Sequence, residues 1–75
     1  MIILIIKTIG SLEEWNQLAK DLAEKGYRLW QMQYSIDSPE GFHAFFWHSF
    51  FSEIEVVTHN HAVYDAILEY RPRPH

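Results

Sequence analysis

Hydrophobic and polar positions divide the chain into six short segments. Residues 2–8, Ile-Ile-Leu-Ile-Ile-Lys-Thr, are apolar and β-branched in both phases of a two-residue period. That pattern predicts a central strand buried on both faces, ended by Gly10. Ser11-Leu-Glu-Glu14 has the form of a capping box. Leu12, Trp15, Leu18, Ala19, Leu22 and Ala23 then recur at spacings of three and four, the apolar stripe of an amphipathic helix. Lys25 suits the negative end of its dipole, and Gly26 suits a left-handed cap.

Residues 27–36 predict a second strand, 37–41 (Asp-Ser-Pro-Glu-Gly) a turn, and 42–48 a third strand. So short a connection leaves these two strands only antiparallel pairing. A fourth strand is predicted over 54–58, after a bend at Ser52 and Glu53. Val63, Ala66, Ile67 and Tyr70 fall at i, i+3, i+4 and i+7. They favour a second helix opened by Thr58 or Asn60 and stopped by Pro72, over a fifth strand.

The second and third strands carry bulky apolar residues on both of their faces. One side of the second holds Arg28, Trp30, Met32, Tyr34 and Ile36, and the other holds Tyr27, Leu29, Gln31, Gln33 and Ser35. In the third, Phe42, Ala44, Phe46 and His48 alternate with His43, Phe45, Trp47 and Ser49. A one-residue change in loop length exchanges the partners, so the register stays open. In either register Trp30, Met32 and Tyr34 are expected to face the helices. Leu29, Gln31 and Gln33 are expected on an open face with two aromatics and a histidine. Two aromatics and Leu29 would expose roughly 400–500 Å², the upper end for a soluble monomer. Either strand four, a loop or the C-terminal tail folds over that face, or it meets another copy, a ligand or a partner.

The fold class expected is therefore α+β: a two-layer antiparallel sheet backed by two helices, in the order β-α-β-β-β-α. Such an order fits a ferredoxin-like variant or a shortened TATA-binding-protein-like sheet, shapes that host unrelated functions. One domain is expected over residues 1–71, with 72–75 as a short tail, a docking peptide if extended.

The chain has 75 residues, enough for one core that is marginal unless something staples it. With no cysteine, disulfides are not the staple, and 16% aromatic content favours self-association. Net charge is −4, and the only basic cluster is Arg71-Pro-Arg73, which argues against nucleic acid. The apolar run at 2–6 is too short to span a bilayer or to be a signal-peptide core. Cytoplasmic localisation, no membrane association and no cofactor are the expectations.

No motif fixes a chemistry. Gly10, Gly26 and Gly41 are far apart, so there is no phosphate-cradling loop, and no serine stands in a nucleophile elbow. His43 and His48 are candidates for acid–base work, the better being whichever shares a face with Gln31 and Gln33. Leu29, Gln31, Gln33, Phe45 and Trp47 are the expected ligand or interface residues. His59-Asn-His61 is the most ligand-like local pattern, because alternate residues of an extended segment point the same way. His43, His48, Asp65 or Glu53 would have to complete a metal site, and a helix starting there would disfavour a cation.

The leading expectation is a small non-enzymatic binding or assembly module that uses an aromatic sheet face for homodimerisation or for a protein partner. A cofactor-independent enzyme or small-molecule-binding domain with a His- and Gln-lined pocket is the alternative. A metal-binding regulator is the third.

Overall fold

The computed structural model describes residues 3–38, 40–48 and 52–72. In chain order the elements are β1 (Ile3–Thr8), α1 (Leu12–Lys25), β2 (Arg28–Ser35), β3 (Gly41–His48), β4 (Ser52–Thr58) and α2 (His61–Leu68). The strands form a four-stranded sheet in the order β1-β4-β3-β2. β2 pairs antiparallel with β3 and β3 with β4, whereas β1 lies parallel to β4.

Three expectations are corrected here. The sheet is mixed rather than antiparallel, and β1 is an edge strand rather than a central one. The cause is connectivity. Short connections make β2, β3 and β4 neighbours, so β1 joins at an edge, and its parallel pairing with β4 is allowed by the long connection through α1, β2 and β3. A run apolar in both phases was compatible with burial, but apolar residues also occur on surfaces. The buried centre is β4, where Ile54, Val56 and Val57 are nearly or wholly inaccessible. Ser52 and Glu53, expected in a bend, belong to β4 and pair with His48 and Trp47.

Local chemistry explains the helices. Ser11 Oγ accepts from the Glu14 amide at 3.2 Å and donates to its carboxylate at 3.3 Å. Gly26 closes α1 at φ 82°, and the next amide, that of Tyr27, reaches Leu22 O at 3.0 Å. Asn60 caps α2: Oδ1 accepts from the Ala62 amide at 2.9 Å, and Nδ2 donates to Gly10 O at 3.1 Å. Arg71 covers the carbonyls of Leu68 and Tyr70 at the other end.

Both helices lie on one face of the sheet. Trp15 and Leu22 from α1, and Val63 and Ile67 from α2, pack with Ala44, Phe46, Ile54 and Val56. Trp15, Phe46 and Tyr70 form a ring cluster with centroids 5.1–6.2 Å apart. The Tyr70 hydroxyl donates to Tyr27 O at 2.7 Å, and burial pushes that phenol up to about 12.

The β2–β3 register aligns Met32 with Ala44 and Tyr34 with Phe42. It breaks between Leu29 and Gln31, where one extra residue forms a β-bulge. Gly41 pairs with Ser35 at φ 131°, and a Cβ there would sit 2.8 Å from Thr58 O.

Candidate functional site: the sheet face away from the helices

The face away from the helices is built from three rows that cross all four strands. Pairing registers give Arg28–Trp47–Glu53–Leu4, then Gln31–Phe45–Glu55–Ile6, then Gln33–His43–Val57–Thr8. Trp30, the additional residue of the bulge, lies against Phe45 with ring centroids 6.0 Å apart.

The middle of this face is polar and buried. His43 Nδ1 lies 2.5 Å from Glu55 Oε2, with both side chains about nine-tenths inaccessible. A short contact to a carboxylate fixes the orientation of the imidazole. It also makes each partner costly to remove, because the other would stay buried without it. Gln33 stands opposite His43, and Nε2 of the Gln31 side chain donates to Gln33 Oε1 at 3.3 Å in solvent.

The flanks are apolar and exposed. On the β1 side Leu4 is 51% and Ile6 57% accessible, and on the β2 side Trp30 is 56% and Trp47 46% accessible. An open groove of about 470 Å³ is lined by Arg28, Leu29, Trp30 and Trp47.

The expected ligand or interface residues thus divide. Gln31, Gln33, Phe45 and Trp47 lie together on the face away from the helices. Leu29 pairs with Phe46 and packs against the core, while it also lines the groove beside Arg28 and Trp30. Trp30, expected to face the helices, is on the face away from them instead. One cause accounts for both, since the bulge after Leu29 reverses the alternation for the next residue. His43 is on this face, whereas His48 is on the other, with its ring 5.1 Å from that of Tyr27.

His59 is exposed, and His61 is the first residue of α2, its ring edge-on to Phe42 at 5.2 Å. The shared direction expected of alternate residues on an extended segment therefore does not apply. Among the described residues no three His, Asp or Glu side chains gather to hold a metal. Arg73 and the rest of the expected docking tail lie outside the described residues, except for Pro72.

Arg28, Trp30, Glu55 and the β1 pair Leu4 and Ile6 were missed as site residues. Glu53-Ile-Glu55 carried a usable signal, since two carboxylates separated by one apolar residue must share a strand face. The bulge has no comparable sequence mark.

The chain is thus an α+β domain with a mixed sheet and both helices on one side of it, and among the described residues no helix is long and apolar enough to cross a membrane. Comparison with protein-family models, with curated proteins and with solved structures finds no match.

Proposed function

We propose that the protein is a self-associating binding module in which two copies pair along β1 and present their aromatic faces on the same side. The observation that carries this reading is the contrast between the two edges of the sheet. β2 is interrupted by a bulge and carries exposed Arg28, Gln31 and Gln33 beside exposed Trp30 and Tyr34, whereas the one charged residue of β1 is Lys7 near its end. β1 has an unbroken register with β4 and carries exposed Leu4, Ile5 and Ile6, so apolar surface flanks its free backbone groups above and below.

A two-fold axis normal to the sheet joins such edges in antiparallel fashion. Centred on Ile5, it sets Leu4 against the partner copy's Ile6 on one face and Ile5 against itself on the other. Lys7 then lies about 13 Å from its counterpart, beyond the screening length at physiological salt. Face-to-face stacking is disfavoured by comparison. A two-fold through the middle of the face away from the helices would press Glu53 and Glu55 toward their own copies and strip water from them.

Absolute mass by light scattering across a hundredfold dilution tests the reading. The wild-type chain should be dimeric, and Ile5→Lys, which sets two ammonium groups face to face at the axis, should be monomeric with unchanged helix content. Trp47→Glu should leave the dimer intact. A monomeric wild type, or dissociation by Trp47→Glu and not by Ile5→Lys, overturns it.

A second reading, a ligand-binding face that does acid–base work, draws support from the buried His43–Glu55 pair beside Gln33 and Phe45. Such a pair is what general acid–base chemistry requires of an oriented imidazole.

A further inference from the structure

We infer that the groove between Arg28, Trp30 and Trp47 is a binding site for a small planar aromatic monocarboxylate. The inference goes beyond self-association and does not depend on it, since the groove lies at the β2 edge, away from β1.

Three observations carry it. First, size and lining: about 470 Å³, bounded by two indoles and the flank of Leu29, falls within the range of small-molecule sites and is apolar where an aromatic ring would rest. Second, the rings have neighbours on the sheet. Pairing sets Arg28 beside Trp47, and the bulge stands Trp30 against Phe45. Aromatic walls supported in this way accept a flat ring in offset or edge-on contact.

Third, the charge is fitted to one carboxylate. Arg28 is exposed, and no described carboxylate is within salt-bridge distance of it. Its planar fork matches a carboxylate through two parallel hydrogen bonds. The same row also limits the ligand. Glu53 follows Trp47 two strands from Arg28, at about 10 Å, and repels further negative charge. Lys7 lies on β1 at the far edge and on the helix-covered side. A phosphate dianion would therefore meet one cation and an acidic neighbour, whereas an aromatic monocarboxylate meets a cation and two rings.

The test uses the full chain and 2-naphthoate, with 2-naphthamide as its neutral counterpart of nearly the same shape. The three tryptophan indole N–H resonances are followed during titration. Trp15, on the buried side of α1, serves as the internal reference. Naphthoate should shift the Trp30 and Trp47 signals in a saturable way and leave that of Trp15 unmoved. The amide should bind about twofold to fivefold more weakly, the range expected for an ion pair in solvent. Arg28→Gln should erase the preference for the acid, and Arg28→Lys should restore part of it.

Equal affinity for acid and amide, a preference that survives Arg28→Gln, or no saturable shift at all would each overturn the proposal. Repeating the titration on Ile5→Lys separates it from the assembly reading. Binding that persists in that variant shows that the groove works whatever its oligomeric state, and binding lost there would overturn the independence claimed here.

Discussion

Tyr70→Phe tests the account of the core most sharply, because two effects of opposite pH dependence meet in one hydroxyl. At neutral pH the hydroxyl donates to Tyr27 O at 2.7 Å, the carbonyl that follows the Gly26 cap. A net hydrogen bond of this kind contributes about 1 kcal/mol, and the variant should be less stable by about that amount. Burial pushes the phenol up to about 12 in the folded chain, against an ordinary value near 10. The folded state therefore holds this proton more tightly than the unfolded state does.

With a raised folded value, the contribution is complete below pH 10 and is lost as pH rises toward 12. The loss is about 1.4 kcal/mol for each unit crossed. By pH 11 it should equal or slightly exceed the hydrogen-bond term, so the stability curves of wild type and Tyr70→Phe should meet near that pH. Tyr34, raised by the adjacent Glu40 carboxylate, is common to both proteins and cancels. Urea denaturation followed by tryptophan fluorescence at pH 8, 9, 10 and 11 measures the gap. A difference that stays constant from pH 8 to pH 11 would refute the buried-phenol argument.

Two further substitutions probe the positions that shape the sheet and its loops. Gly41→Ala should destabilise by about 1–3 kcal/mol, because its Cβ would meet Thr58 O at 2.8 Å and the residue would keep a positive φ; thermal denaturation reads the loss. Asn60→Ala should cost about 1–2 kcal/mol by removing the α2 cap and the tie to Gly10, and Asn60→Ser should recover the part due to the cap alone. Equal stability of the Ala and Ser variants would refute the capping role.

The helices were legible because their signals are local. Ser11, Glu14 and Gly26 state where α1 begins and ends, and the spacing of Val63 and Ile67 survives in α2 as its buried side, with Tyr70 buried just beyond the helix. The position of β1 was not legible, since Ile-Leu-Ile-Ile reads alike in a buried strand and in an apolar edge. Which it becomes depends on strand order, a property of the whole chain. The face away from the helices was legible as a mixture of aromatics, glutamines and a histidine, but its membership was not. Alternation assumes one residue per step, and the extra residue after Leu29 moves Leu29 into the core and Trp30 out of it. Glu55 was overlooked as the partner of His43 because they lie on different strands, and only the β3–β4 register makes them neighbours.

The bond from Asn60 to Gly10 joins positions fifty residues apart. The β1–β4 ladder beside it is similarly long-range, whereas β2, β3, β4 and α2 follow one another with short links. Closing a large loop is entropically slow, so the compact three-strand meander is positioned to form early and to capture β1 late. Until then its isoleucines are open to any passing strand. The segment that completes the fold is thus also the one most able to find a second chain, and folding and association would compete for the same six residues during synthesis at high local concentration.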